Sequence, residues 1–173
     1  RLYTPNDFIG KLICWRLEEP YCHATIEVGD TTYSATYPEI KALRPYADQV
    51  AQPPRGGKAY DIRMTAAECE KALRYCKSMI GSSYDVIAAL GWALRIQWLQ
   101  RPNHVYCFEY VYDALAVAGI FPTSKRLVTG EELLLDLYAA GRIASGIGME
   151  MGARLHSQVH QRSRSFAVPT PTI

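Results

Sequence analysis

The chain has little excess charge of either sign. Its 173 residues include 19 Lys and Arg against 17 Asp and Glu, a formal net charge of +2. A field this weak gives no reason to expect nucleic acid or an anionic membrane as a partner. The length is that of one compact domain whose core is large enough to fold without cross-links.

Cysteine is sparse and odd in number, with five residues and no CxxC motif. This usage argues against a disulfide scaffold and gives poor support for zinc, because zinc sites gather cysteines at short fixed spacings. No basic segment followed by an apolar run opens the chain, so these residues show no secretory signal. We expect free thiols.

Long hydrophobic runs are also missing. The longest, "VIAALGWAL" at 86–94, is followed by Arg95 and Gln97 and is too short to cross a bilayer. It predicts a buried helix over about 85–99 and no membrane span.

Strict alternation at "CHATIEV", residues 22–28, indicates a half-buried strand with His23 on its polar face. Gly29-Asp30 is a hairpin signal, and "TTYSAT" is predicted to return as the second strand. With a two-residue loop, Ser34 lies opposite Thr25 and Thr36 lies opposite His23, so hydroxyl groups surround the histidine.

The segment from 37 to 57 is rich in proline and predicts a long irregular connection, whereas "KAYDIR" at 58–63 predicts a short strand. Capping boxes predict helices after Thr65 and Thr129, the second running to about Ala140. Cys69 and Cys76 fall on the predicted apolar face of the first of these helices, and Cys14 and Cys22 are also predicted to be core residues.

The composition changes at Gly141 towards Gly, Ser, Arg and His. That stretch lacks the apolar content to fold alone. We therefore predict a domain over 1–143 and a basic, extended tail over 144–173 that contacts a protein partner or an assembly.

The segment "NHVYCFEYVYDAL", residues 103–115, places Cys107 where a helix is predicted to begin, and that helix is predicted to end at Gly119. Such a thiol is a core residue, a zinc ligand or a nucleophile. The free N–H groups of a first helical turn favour an anion, which predicts a lowered thiol pKa and donors for an oxyanion.

A cysteine nucleophile needs a base, and four histidines are candidates. His156 and His160 have metal-ligand spacing but lie in the predicted tail without a metal-site context. His104 is separated from a helical register with Cys107 by the break at Pro102. His23 is the remaining candidate, and a surface histidine on an exposed strand is the alternative interpretation.

Three segments, "CHATIEVGDTTYSAT", "GSSYDV" and "VYCFEYVYDAL", together resemble the circularly permuted branch of the NlpC/P60 papain-like superfamily, the YiiX/YebB-like and lecithin retinol acyltransferase-like proteins. The resemblance spans roughly residues 5–120. It implies an α+β papain-like fold with an antiparallel sheet packed against helices. It also implies that Cys107 is the nucleophile and His23 the base.

The third catalytic position of that family falls on Ala35, or on Ser34 with a shorter hairpin, where relatives often have Glu or His. A serine orients an imidazole more weakly than a carboxylate does. The segment "GSSYDV" matches the family's G-x-x-Y-D with Gly81, Tyr84 and Asp85. Tyr84, Tyr106 and Phe108 are the candidate substrate contacts beside these motifs.

The resemblance implies a thiol hydrolase that cleaves an amide bond, with peptidoglycan stem peptides as the leading substrate and no metal or organic cofactor. It points to a bacterial cytoplasm or a bacteriophage tail. Two alternatives remain open: an acyltransferase or lipid or thioester hydrolase with the same Cys-His site, and a catalytically inactive structural or binding module.

Overall fold

The computed structural model describes residues 1–44, 56–84 and 105–143, and this part of the chain has a mixed α+β fold. The strands are β1 (Leu2–Tyr3), β2 (His23–Ala24), β3 (Ile26–Val28), β4 (Thr31–Ala35), β5 (Ile40–Leu43) and β6 (Gly57–Lys58). The helices are α1 (Phe8–Leu17), α2 (Ala66–Ser78), α3 (Cys107–Ala118) and α4 (Gly130–Ala139). The structure confirms the predicted α+β class, in which antiparallel strands are combined with helices.

The strands form two antiparallel sheets of three strands each, in the orders β2-β1-β6 and β3-β4-β5. The predicted strand 22–28 is divided between them at Thr25. The N–H of Thr25 donates to the carbonyl oxygen of Arg1 at 2.9 Å, and the terminal amine of Arg1 donates back to the Thr25 carbonyl at 2.8 Å. The strand therefore changes partners in the middle because the first three residues occupy one edge of its N-terminal half.

The hairpin prediction is confirmed for β3 and β4. Val28 pairs with Thr31 across the two-residue loop, and Gly29 has φ of +61°, the conformation that a type II′ turn requires at its first loop position. The placement of Thr36 opposite His23 is wrong, since β4 ends at Ala35 and His23 pairs with Tyr3.

Strand β5 lies inside the segment predicted to be irregular. Ile40 and Leu43 are buried at its two ends, and the strand completes the sheet by pairing with β4. The prediction of a strand over 58–63 is wrong in extent, because only Gly57 and Lys58 pair, with β1. A Cβ at Gly57 would collide with the carbonyl oxygen of Leu2, so a glycine permits this close approach.

Both predicted capping boxes are present. The hydroxyl group of Thr65 accepts from the N–H of Glu68, whose carboxylate accepts from Thr65, and Thr129 and Glu132 form the same arrangement before α4. Helix α1 was not predicted; its start is fixed by Asp7, whose carboxylate accepts from the N–H of Gly10 at 2.6 Å.

Helix α3 is the centre of the core. It packs against α2, α4, β2 and β4, and it begins at Cys107 and ends at Gly119 as predicted. Phe108, Tyr110 and Leu115 are completely buried on it. The predicted helix over 85–99 and the predicted tail over 144–173 lie outside the described residues.

Candidate functional site

The N-terminus of α3 carries the candidate nucleophile. Tyr106 is the N-cap residue in an extended conformation, with φ −99° and ψ 177°, and its side chain does not cap the helix. The Tyr106 hydroxyl group instead donates to the carbonyl oxygen of Val128 at 2.8 Å. This buried bond ties the helix start to the segment before α4 and fixes the position of Cys107.

The sulfur of Cys107 lies against the backbone of the strand that carries His23. It is 4.0 Å from the carbonyl oxygen of Cys22, and the N–H of Ala24 also faces it. Because the next residue along the strand bonds to Arg1, the Ala24 N–H points to the opposite edge of β2, where α3 packs. The backbone groups on both sides of His23 thus contact the thiol.

Burial governs the acidity of this thiol. The Cys107 side chain is only 3% exposed, and burial raises the pKa of the Cys107 thiol to about 12. The N–H groups of Ala24, Phe108 and Cys107 itself act in the opposite direction but do not overcome desolvation. The sequence predicts a lowered pKa from the helix terminus; the difference arises because tertiary burial, which a local pattern does not contain, is the larger effect.

The candidate base contacts the candidate orienting residue directly. His23 Nε2 and Ser34 Oγ are 3.0 Å apart, between β2 and β4, and the side chain of Ser34 is buried. The ring of His23 also packs beside that of Tyr3, with centroids 5.6 Å apart. The hydrogen bond to Nε2 limits rotation of the His23 ring.

The three predicted substrate contacts have different surroundings. Tyr106 and Phe108 are completely buried, with their ring centroids 6.4 Å apart in an edge contact, and their role as substrate contacts stays a prediction. Tyr106 and Phe108 flank Cys107 in the sequence, and both side chains lie in the core because other elements enclose the start of α3. Tyr84 is half-buried, and its N–H donates to the carbonyl oxygen of Pro38 at 2.9 Å.

The other cysteines divide by burial. Cys14 and Cys76 are buried, as predicted for core residues, and burial raises the pKa of each thiol to about 11. Cys22 and Cys69 are only half-buried, which departs from the same prediction. None of the five cysteines forms a disulfide.

A second buried ionisable group lies two residues beyond Cys107. The Glu109 carboxylate is completely buried, 3.1 Å from the Arg126 guanidinium, and it accepts from the N–H of Leu127 at 3.3 Å. Burial raises the pKa of the Glu109 carboxyl to about 7, against the effect of the cation. The sequence resemblance includes Glu109 but gives no sign of Arg126, which is 17 positions away.

Several groups of interest fall outside this site or outside the described residues. Within 1–44, 56–84 and 105–143, no cluster of three or more His, Cys, Asp or Glu side chains is arranged to hold a metal ion. In the same part of the chain no helix has the length and apolar character needed to cross a membrane. Asp85, His104, His156 and His160 lie outside the described residues.

A comparison of the sequence with models of known protein families finds no match. No curated protein matches the chain either.

Proposed function

We propose that this protein is a thiol hydrolase in which Cys107 is the nucleophile, His23 the general base and Ser34 the residue that orients the imidazole. The observation that carries the proposal is the 3.0 Å contact between His23 Nε2 and Ser34 Oγ. It lies on the strand whose backbone touches the Cys107 sulfur. A nucleophile beside a base that is itself oriented by a third group is the general form of such sites.

The chemistry follows from these positions. The Cys107 sulfur attacks an amide carbonyl carbon while His23 accepts the thiol proton. N–H groups in the first turn of α3 stabilise the resulting oxyanion. The C–N bond then breaks, His23 returns the proton to the leaving amine, and a thioester remains on Cys107. Water attacks this thioester with His23 again as base, which releases a carboxylic acid and restores the thiol.

The raised pKa of Cys107 determines how the first step starts. Because burial raises the thiol pKa to about 12, Cys107 is a neutral thiol in the resting site. Proton transfer therefore accompanies substrate attack, and the substrate has to displace water or open the site to reach a sulfur that is only 3% exposed.

The proposed substrate is an amide bond in a peptidoglycan stem peptide, and the proposed setting is a bacterial cytoplasm or a bacteriophage tail. Both rest on the sequence resemblance to the permuted papain-like branch. The mixed α+β fold with its nucleophile at a helix start supports that resemblance.

The test is release of soluble peptides from purified cell-wall sacculi, followed by mass spectrometry. We expect Cys107→Ser and His23→Ala each to abolish release, and Ser34→Ala to reduce it by about tenfold. Cys69→Ser is the matched control, since Cys69 is a half-buried cysteine on α2. Equal activity in Cys107→Ser and in Cys69→Ser would contradict the proposed mechanism.

A second candidate is a papain-like scaffold without catalytic activity. The burial of Cys107 and its raised thiol pKa favour this candidate. A peptide chloromethyl ketone separates the two: covalent modification of Cys107 that depends on His23 supports the hydrolase, and an unmodified Cys107 in folded protein supports the scaffold.

A further inference from the structure

A cavity of about 410 Å³ lies behind the hairpin, on the side of the core where α2, α3 and α4 meet the junction of the two sheets. This volume is within the range of ligand-binding pockets in proteins. Its walls come from five separate elements and from the segment 59–64. None of Cys107, His23 and Ser34 lines it, so the cavity is distinct from the candidate active site.

The lining changes from polar to apolar with depth. Arg1, Glu27 and Asp61 are exposed and form the rim, where the Arg1 guanidinium and the Glu27 carboxylate are 2.9 Å apart. At depth the lining consists of completely or nearly completely buried side chains from four elements: Leu2, Ala72, Val111, Leu133 and Leu137. One end of a ligand would meet water and charge, and the other end would meet hydrocarbon.

The shape of the apolar surface favours a chain over a ring system. Among the lining residues that the structure describes, Tyr60 is the one aromatic side chain, and its hydroxyl group is 3.0 Å from that of Tyr21. The other apolar lining residues are aliphatic or contain sulfur. Flexible aliphatic walls adapt to an alkyl chain, and they lack the flat faces that stack on aromatic ligands.

We infer that this cavity binds a single aliphatic chain with its polar head group at the Arg1, Glu27 and Asp61 rim. Burial of the chain at depth supplies the affinity, and the rim keeps the head group hydrated. The inference does not depend on the hydrolase proposal, because it uses none of the proposed catalytic residues.

The experiment is titration calorimetry of the full chain with a homologous series of straight-chain alcohols from butanol to dodecanol. We expect one molecule to bind per chain, with the dissociation constant falling by about fourfold for each added methylene until the cavity is filled. A plateau should follow at longer chain lengths. Binding that strengthens without limit, or with a stoichiometry well above one, would overturn the inference.

Two neighbouring residues on α4 supply a matched pair of variants. Leu134 lines the cavity and is half-buried, whereas Leu135 does not line it and is 68% exposed. Leu134→Trp should weaken decanol binding by tenfold or more because the indole occupies the cavity, and Leu135→Trp should leave it unchanged. An equal effect of both substitutions would contradict the assigned position.

A measurement on the wild-type chain tests the same inference without relying on variants that could misfold. Cys69 lines the cavity and Cys22 does not, and both are half-buried cysteines outside any disulfide. Saturating decanol should slow iodoacetamide alkylation of Cys69 several-fold, as read from its tryptic peptide, with no change at Cys22. If decanol leaves Cys69 as reactive as before, the cavity is not where the alcohol binds.

Discussion

Cys107 and Glu109 are two ionisable groups on the same helix, and both are almost fully buried, yet they differ in what lies beside them. Glu109 has a guanidinium group at 3.1 Å and a backbone N–H, and its carboxyl pKa rises from 4.5 to about 7. For Cys107 it is backbone N–H groups that oppose burial, and its thiol pKa rises from 9.0 to about 12. Burial is the largest cause at both residues.

Dipoles at a helix terminus therefore do not by themselves keep a buried group ionised. A full positive charge lies 3.1 Å from Glu109, whereas in the proposed reaction the positive charge beside Cys107 forms when His23 accepts the thiol proton. In the proposed reaction the two charges form together, and Ser34 contributes only a hydrogen bond to stabilise the imidazolium. The following predictions test this difference, beginning with the largest effect.

The reactivity of the resting thiol should be low. At pH 8 a pKa near 12 reduces the thiolate fraction by about 1,000-fold relative to an ordinary free thiol with a pKa of about 8.5. Higher intrinsic nucleophilicity of the more basic thiolate recovers part of this loss. We expect iodoacetamide to alkylate Cys107 at least about 30-fold more slowly than Cys69, measured peptide by peptide. Similar rates would show that His23 already holds the pair ionised.

Stability should depend on pH through Glu109. Its carboxyl pKa is higher in the folded state, so the native protein binds more protons than the unfolded chain between about pH 4.5 and 7. This contribution is fully present below pH 4.5 and is lost as the pH rises through 7. We expect at most about 3 kcal/mol over that window, given about 1.4 kcal/mol per unit of pKa shift.

Urea denaturation at half-unit pH steps measures this effect as the difference between the wild-type chain and Glu109→Gln. Other carboxyl groups affect both proteins alike, so subtraction isolates Glu109. A difference that does not change with pH would mean that Arg126 keeps the carboxylate ionised throughout.

Removal of the Arg126 guanidinium should lower the free energy of unfolding. Arg126→Leu leaves Glu109 buried without its counter-charge, and we expect a loss of about 2 kcal/mol in the free energy of unfolding at pH 8. This lies below the cost for a fully buried pair because the Arg126 side chain is 38% exposed. The control is Arg74→Leu, which breaks the exposed pair with Glu70 and should cost less than about 0.5 kcal/mol. Equal losses in the free energy of unfolding would show that the buried Glu109 carboxylate depends on its cation no more than the exposed Glu70 carboxylate does.

A carboxylate introduced beside His23 should favour the imidazolium. Cys107 would then have a neighbouring positive charge, as Glu109 has in Arg126. Ser34→Asp places a negative charge near Nε2, which stabilises the imidazolium and with it the thiolate. We expect alkylation of Cys107 to accelerate by about tenfold. Thr32→Asp is the matched control, because Thr32 is also buried and lies two positions along the same face of β4. An unchanged rate of Cys107 alkylation in folded Ser34→Asp would show that the ionisation of Cys107 does not depend on His23.

Short-range signals predicted much of the fold. The Gly29-Asp30 loop and the helix start at Cys107 are each encoded by a few adjacent residues, as are the two capping boxes. Strand β1 was missed because it has only two residues and pairs with strands that are distant in the sequence. Strand β5 was missed because Pro38 and Pro45 on either side of its four residues indicate an irregular segment. The division of the strand at Thr25 likewise depends on Arg1, 24 positions away.

The candidate site was predictable in its residue pairs but not in its energetics. Two-residue periodicity and the hairpin loop brought His23 near hydroxyl groups, and the structure brings it together with Ser34. The burial of Tyr106, Phe108 and the Cys107 thiol depends on how α3 is enclosed by other elements, which no local pattern contains. Arg126 was missed for the same reason.

The N–H of Ala24, which faces the Cys107 sulfur, also gives the site a spectroscopic reporter. An amide proton that meets a thiol in one state and a thiolate in another experiences a large change in local electric field. Its resonance in a two-dimensional nitrogen–proton spectrum would therefore follow the ionisation of Cys107 without any label on the sulfur. The state of the nucleophile can thus be observed from the backbone of the strand that carries its proposed base.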